Sequence, residues 1–139
     1  MALTDIARER GDEIEVSTSA IVYVCITCRR AGEPEDAPRE GPALARAVVR
    51  AAEGTGVSVR RIRCLANCSR GLSAALRRDG AWTYVFGGLD PDKDAEALIE
   101  GAKLLAKSAD GLLPWVGRPD VLKRGLIARV PPIDYPEEE

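Results

Sequence analysis

Apolar residues recur in patterns that predict two strands and a helix in the first half of the chain. Residues 21–24 form a continuous apolar run rich in β-branched side chains, typical of a central strand covered on both faces, and the run ends at Cys25. From Pro42 onwards apolar positions follow helical spacing, and Gly54 predicts the end of that helix. These positions are Leu44, Ala45, Val48, Val49 and Ala52. Residues 57–63 are again rich in β-branched side chains and predict a second strand that ends at Cys64, although two adjacent arginines leave its register open.

The second half of the chain predicts a hairpin followed by a helix. Apolar residues alternate at positions 72, 74 and 76 and again at 82, 84 and 86, and the Asp79-Gly80 pair between them is typical of a tight hairpin turn. Asp90 can then cap a helix with Pro91 at its first position, and this helix should end near Gly111. Its buried stripe is predicted to contain Ala95, Leu98, Ile99, Ala102 and Leu105.

The order strand, helix, strand, hairpin, helix predicts a small α/β sandwich. A strand-helix-strand unit of this length joins two parallel strands, and the hairpin adds two antiparallel ones, so we expect a four-stranded mixed sheet. The 139 residues fit a single domain, residues 1–139, with a core at about 20–109 and an extension at each end. The C-terminal extension, residues 112–132, is rich in apolar side chains. We expect it to cover the sheet or a neighbouring subunit, which leaves a homodimer open.

Composition narrows the chemistry that this sandwich can perform. The sequence contains no histidine, which excludes a Ser-His-Asp triad, a Cys-His pair and any imidazole metal site. A net charge of −2, few aromatic residues and no recognised binding motif disfavour a nucleic-acid partner. Five acidic residues within residues 1–16 disfavour a signal peptide, and the longest apolar run, residues 20–27, is too short to cross a bilayer. We therefore expect a cytoplasmic protein without a membrane segment.

Four cysteines carry the most specific signal in the sequence. Cys25 and Cys28 follow the first strand, and Cys64 and Cys68 follow the second. The carboxyl ends of parallel strands meet at one edge of a sheet, so we expect the two pairs to converge there. Convergent thiols in a reducing compartment suit a soft metal ion or an iron–sulfur cluster. The alternative from the residues alone is four unligated cysteines in the core.

The segments that contain these cysteines resemble those of a thioredoxin-like [2Fe-2S] ferredoxin. The resemblance covers residues 20–109 and is carried by residues 22–25, by residues 63–68 with Gly71 after them, and by the hairpin and the helix that follow. More narrowly, the chain resembles a family of small bacterial proteins predicted to bind metal, which have a Cys-x2-Cys first pair. In typical thioredoxin-like ferredoxins a much longer interval separates the first two ligands.

This resemblance implies a thioredoxin-like sandwich that carries a [2Fe-2S] cluster. Cys25 and Cys28 would hold one iron, and Cys64 and Cys68 the other. The implied role is the transfer of single electrons to and from a redox partner protein, with no substrate of its own and hence no enzymatic activity. The narrower family also implies a link to bacterial cobalt and corrinoid metabolism.

Two other uses of the thiols remain open at this point. The first alternative is a site for zinc or another metal ion, and a structural zinc ion would take the same four thiolates in a closed tetrahedron. A thioredoxin-like dithiol at Cys25 and Cys28 is the second alternative. It is disfavoured because no proline precedes the strand that starts near Leu72, and because it leaves the second cysteine pair without a role.

Positive charge is concentrated around the cysteines. Residues 41–78 contain eight arginines and one acidic residue, Glu53, for a net charge of +7. Most of these arginines are expected on solvated faces, but four stand beside cysteines in the sequence: Arg29, Arg30, Arg63 and Arg70. Near a cluster they would favour its more negative, reduced form and could dock an acidic redox partner.

Overall fold

A computed structural model describes residues 19–29, 34, 36, 38–66 and 70–138 of the chain. Within these residues it contains five strands and three helices. In chain order they are β1 (Ile21–Cys25), α1 (Gly41–Ala52), β2 (Ser58–Ile62), β3 (Ala74–Arg77), β4 (Thr83–Phe86), α2 (Ala95–Lys107), α3 (Val121–Arg124) and β5 (Leu126–Val130).

The strands form one mixed sheet in the order β2-β1-β3-β4-β5. β1 and β2 are parallel and are joined through α1, whereas β3, β4 and β5 pair antiparallel to their neighbours. The β1–β2 register, which the sequence left open, pairs Cys25 with Ile62. The predicted α/β class, the parallel unit and the hairpin are therefore confirmed, but the sheet has five strands instead of four.

The fifth strand comes from the C-terminal extension. β5 pairs with β4 from Leu126, opposite Phe86, to Val130, opposite Thr83. Residues 126–130 of the extension thus add a strand at the edge of the sheet, whereas Leu113, Val121 and Leu122 of the same extension are buried in the core. Before β5, the fully buried Leu122 of α3 packs against α2 at Gly101. The contact is so close that a Cβ added at Gly101 would lie 2.5 Å from the Cδ1 atom of Leu122.

The core lies between one face of the sheet and the helices α1 and α2, which contact each other and the central strands. Alternate residues of β1, β3 and β4 point into it and are almost wholly buried: Val22, Val24, Ala74, Leu76, Tyr84 and Phe86. The predicted helical stripes are buried as expected, except that Val49 is only half-buried. No helix in the described part of the chain has the length and apolar character needed to span a membrane.

Helix α2 begins and ends inside the bounds that the sequence suggested. It starts at Ala95 instead of Pro91, because the Asp90 carboxylate accepts a hydrogen bond from the Asp92 backbone N–H at 2.7 Å and holds the intervening residues in a turn. The Asp94 carboxylate accepts the Asp90 N–H at 2.8 Å, which closes the same turn. The helix ends at Lys107, before Gly111, which adopts a left-handed conformation with φ of 77°.

The hydroxyl of Tyr84 anchors the C-terminal extension to the core. Tyr84 is 2% exposed, and its oxygen accepts a hydrogen bond from the Leu113 backbone N–H at 2.8 Å. Tyr84→Phe leaves this N–H buried without a partner, so we expect it to lower the free energy of unfolding by about 1–3 kcal/mol. Urea titration measures this effect. Tyr23→Phe is the matched control, since the half-buried Tyr23 makes no such bond to any described residue, and a shift of similar size there would contradict the explanation.

Candidate functional site

Three of the four cysteines lie at one edge of the sheet. Cys25 is the last residue of β1, Cys28 follows it in the next loop, and Cys64 stands two residues beyond the end of β2. Because Cys25 pairs with Ile62 in the parallel register, the loops that leave both strands run side by side. Cys25 and Cys28 are buried, with exposures of 1% and 4%, whereas Cys64 is exposed. Cys68 lies outside the described residues.

Cys25 and Cys28 lie close enough for each thiol to influence the pKa of the other. Burial, the hydrogen bond to Cys25 and the negative charge of Cys25 together raise the pKa of the Cys28 thiol to about 11. Burial acts in the same direction on Cys25, but hydrogen bonds from Thr27, Cys28 and nearby backbone N–H groups outweigh it and lower the pKa of Cys25 below its ordinary value. Of the two thiols, Cys25 therefore loses its proton first. The deprotonated thiolate is the form of cysteine that binds metal.

Hydrogen bonds tie the Cys25 loop to the residue before Cys64. The Thr27 hydroxyl donates to the Arg63 carbonyl, and the Cys25 sulfur lies 3.6 Å from the same oxygen. The Cys25 sulfur also lies 3.5 Å from the Thr27 hydroxyl, and the Ile26 N–H donates to the Ile62 carbonyl at 2.9 Å. These bonds hold the two cysteine-bearing loops next to each other.

Two glycines allow the backbone to pack closely around the pair. A Cβ at Gly41, the first residue of α1, would overlap the Cys25 carbonyl oxygen, and the Gly41 N–H donates to the Cys28 carbonyl at 3.1 Å. A Cβ at Gly71 would lie 2.5 Å from the Arg29 carbonyl oxygen and 3.4 Å from the Cys28 sulfur. Both positions therefore require glycine for packing reasons, whereas from the sequence alone Gly71 is notable only as part of a resemblance.

Ser73 also contributes to the site, although its sequence position was not predicted to be functional. It is fully buried, and its side chain and backbone hydrogen bond to the Cys28 sulfur and oppose the rise in its pKa. Its carbonyl accepts the Cys25 N–H at 3.1 Å. The signal was a single serine within the apolar run 72–76, a position where a buried hydroxyl needs a partner.

Cys64 has an environment of its own. Its sulfur accepts a hydrogen bond from the Ala66 backbone N–H at 3.1 Å, and Ala66 adopts a left-handed conformation with φ of 58°. Backbone N–H groups directed at sulfur are one of the features that set the reduction potential of iron–sulfur clusters. The turn after β2 thus presents the Cys64 sulfur as a suitable metal ligand.

The described donors fit part of a sulfur-ligated metal site. Cys25 and Cys28 are both buried at the end of β1 and influence each other's pKa, and sulfur ligands select iron–sulfur clusters, zinc or other soft metals. No group of three Cys, His, Asp or Glu side chains suited to a metal ion occurs within the described ranges. The described residues alone therefore form one chelating pair plus a third thiol at the same edge.

The arginines near the cysteines differ in their surroundings. The side chains of Arg63 and Arg70 are exposed, whereas Arg29 is half-buried, and Arg30 lies outside the described residues. The Arg70 carbonyl accepts the Gly88 N–H at 2.6 Å, so the backbone that leads from the second cysteine pair into β3 is fixed to the end of β4. Arg63 and Arg70 therefore present positive charge to solvent, and in the sequence they stand before Cys64 and after Cys68 respectively.

Comparison with known proteins relates this fold to characterised structures. Residues 22–132 match the family model DUF1636, described as a protein of unknown function. No curated protein matches the sequence. A structure of a thioredoxin-like [2Fe-2S] ferredoxin from Aquifex aeolicus aligns with a TM-score of 0.53 and 17% identity, over 84% of this chain and 98% of that chain. A structure of the wild-type thioredoxin-like [2Fe-2S] ferredoxin from the same organism aligns with a TM-score of 0.50 and 16% identity, over 79% of this chain and 97% of that chain. At these identities the comparison confirms the thioredoxin-like fold.

Proposed function

This chain belongs to the DUF1636 family of proteins of unknown function, and we propose that it is an electron-transfer protein holding a [2Fe-2S] cluster on Cys25, Cys28, Cys64 and Cys68. One observation carries the proposal. The two buried thiols Cys25 and Cys28 lie at the same sheet edge as Cys64, in a fold shared with thioredoxin-like [2Fe-2S] ferredoxins. The thioredoxin dithiol explains only the first pair, whereas a four-thiolate cluster uses both.

Each part of the site has a role in this proposal. Cys25 and Cys28 hold one iron, and Cys64 and Cys68 hold the other. When bound, the cluster supplies a reversible one-electron couple. The chain contributes thiolate ligands, a buried environment around Cys25 and Cys28, and N–H donors such as that of Ala66. A protein with these parts passes electrons between redox partner proteins and has no substrate of its own.

A sulfur-only donor set also suits a structural zinc ion, and this is the competing function. The Cys-x2-Cys spacing of Cys25 and Cys28 is common to zinc and iron–sulfur sites, so ligand identity alone does not separate the two. A zinc ion would make the site a structural element without electron transfer. The two functions therefore differ in metal content and in redox activity.

Metal analysis of protein produced with ample iron and purified without oxygen separates the two functions. We expect coloured protein with about two irons and two acid-labile sulfides per chain, the stoichiometry of one [2Fe-2S] cluster. Inductively coupled plasma mass spectrometry and a colorimetric sulfide assay measure both. Stoichiometric zinc in that preparation, together with failure of anaerobic cluster reconstitution, would refute the proposal.

The exposed arginines beside the second cysteine pair should raise the reduction potential. Reduction adds a negative charge to the cluster, so Arg63→Gln or Arg70→Gln removes a stabilising positive charge and should lower the potential. Two charges about 10 Å apart at an effective dielectric constant of about 20 interact by roughly 1.7 kcal/mol, and solvent exposure reduces the expected shift to tens of millivolts at most. Potentiometric titration at low and high salt measures it.

Arg46→Gln, an exposed arginine on α1, is the control for the loss of one positive charge. The shifts at Arg63 and Arg70 should exceed that of the control and shrink at high salt, because salt screens exposed charges. Equal potentials in all three variants and the wild type at low salt would mean that these arginines do not tune the cluster.

A further inference from the structure

A row of residues crosses the sheet on the face opposite to α1 and α2. Ile21, at the start of β1, pairs with Ser58 of β2 on one side and with Arg77 of β3 on the other. At the far edge, Thr83 of β4 pairs with Val130 of β5. Side chains alternate along strands, so these residues share the face that the two long helices leave uncovered. The row lies at the end of β1 remote from Cys25.

A depression of about 300 Å³ lies over the β2 side of this row. It is lined by Ser19, Ile21, Tyr23, Ser58, Arg60, Arg77, Arg78 and Asp79. Arg60 of β2 pairs with Tyr23, which is two residues after Ile21 along β1 and therefore on the same face of the sheet. Arg60 and Arg77 thus approach the depression from opposite sides of β1. Two guanidinium groups on long side chains can thus reach one bound group from both sides.

The charges of this depression are not balanced within the described structure. Neither Arg60 nor Arg77 forms an ion pair there, and Asp79 is the single acidic residue in the lining. Arg78 has a different role, since its guanidinium donates to the carbonyls of Leu105 and Ser108 at the end of α2, at 3.0 and 2.9 Å. Arg60 and Arg77 are therefore the groups available to an anion, and guanidinium groups match carboxylate and phosphate geometry.

A second, larger depression of about 550 Å³ continues from the first along the β5 side. Both share Arg77, Arg78 and Asp79, so they form one groove, which we call the arginine groove. The wall of its second half includes Val130, Pro131, Pro132 and Ile133, with Asp134 at its end, and the side chains of Val130 and Ile133 are exposed to solvent. Exposed apolar side chains beside a cationic pair suit a ligand with one charged and one apolar end.

We propose that the arginine groove binds a small amphipathic anion. Its carboxylate, phosphate or sulfonate group lies between Arg60 and Arg77, and its apolar body lies against Val130 and Ile133. The positive charge at one end and the apolar wall at the other set the orientation of the ligand. The groove is separate from the cysteines, so this binding does not depend on which metal they hold.

Anilinonaphthalene sulfonate is the probe, because it combines an anionic group with an apolar ring system whose fluorescence increases on binding. We expect saturable binding of one molecule to the protein as purified. Arg60→Gln and Arg77→Gln should each weaken binding by about tenfold or more, since each removes a charge-assisted hydrogen bond. Arg46→Gln has the same change in net charge outside the groove and should bind as the wild type does. Ile133→Ser should weaken binding without a change in charge.

Three further measurements decide the interpretation. Phenylnaphthylamine, the uncharged analogue, should bind weakly and equally to the wild type and to the Arg60 and Arg77 variants. Octanoate, which has a carboxylate and an apolar chain, should displace the dye, whereas inorganic phosphate, which has no apolar part, should compete more weakly. Equal displacement by both would contradict a role for the apolar wall. Thermal unfolding shows that each variant is folded. Absence of saturable binding to the wild type, or equal weakening in the Arg46 variant and the groove variants, would overturn the proposal.

Discussion

Serine in place of any one of Cys25, Cys28, Cys64 and Cys68 is expected to abolish or strongly destabilise the cluster. Each substitution removes a thiolate from an iron, and the hydroxyl that replaces it is a much weaker ligand for that metal. Loss of a group that only supports a ligand already costs about 10–100-fold in metal affinity, so loss of the ligand should cost more. Visible absorption, bound iron and bound sulfide per chain measure the effect.

The Cys28→Ser variant is the most informative of the four, because Cys28 departs from the usual spacing of thioredoxin-like ferredoxins. Ser73→Ala is its matched control, since it removes a hydrogen bond to the Cys28 sulfur and leaves all four thiols in place. The control should keep its cluster. A Cys28→Ser cluster with the spectrum and stability of the wild type would show that Cys28 is not a ligand, and an oxygen ligand such as a carboxylate within residues 33–36 would then replace it.

Gly71→Ala is expected to lower both the free energy of unfolding and the retention of metal. Its Cβ would lie 2.5 Å from the Arg29 carbonyl oxygen, a backbone atom that moves only if the loop after Cys28 moves. The same Cβ lies 3.4 Å from the Cys28 sulfur, so the displacement reaches the candidate ligand. We expect a loss of about 1–3 kcal/mol in stability and a faster loss of iron to a chelator. Urea unfolding and chelator kinetics measure the two effects.

Gly101→Ala provides the control for this prediction. It is the same substitution, and its added Cβ would also lie 2.5 Å from the nearest atom, here Cδ1 of Leu122. There the obstructing atom is the end of the Leu122 side chain, which can adopt another rotamer, and the site is remote from the cysteines. Stability should change less, because a helical alanine is intrinsically favoured over glycine by about 1 kcal/mol. Metal retention should match the wild type. Equally fast iron loss in both variants would show that Gly71 has no specific effect on the site.

Much of the fold could be predicted from sequence because its elements carry strong local patterns. The run at residues 21–24 became β1, and the apolar stripe from Leu44 to Ala52 became the buried side of α1. Together they predicted a parallel strand pair and hence a common edge for the loops with Cys25 and Cys64. These are consequences of periodicity and of strand direction, both of which are local properties.

The parts that were missed depend on tertiary contacts or on competing side chains. The apolar content of residues 112–132 predicted burial, but pairing of β5 with β4 depends on backbone hydrogen bonds that leave no local pattern. Helix α2 starts later than predicted because the Asp90 carboxylate accepts a hydrogen bond from the Asp92 N–H and forms a turn instead of capping a helix. The contributions of Ser73 and Gly71 to the site arise only when distant segments meet around Cys28.

Reductive titration of the anaerobically prepared wild-type protein, monitored by electron paramagnetic resonance, tests the central claim most directly. A single [2Fe-2S] cluster should accept about one electron per chain and then show the signal of one unpaired electron, which disappears on reoxidation. Bleaching of the visible spectrum should follow the same titration. Protein that takes up no electrons and shows no signal, with its thiols saturated by zinc, would contradict the account.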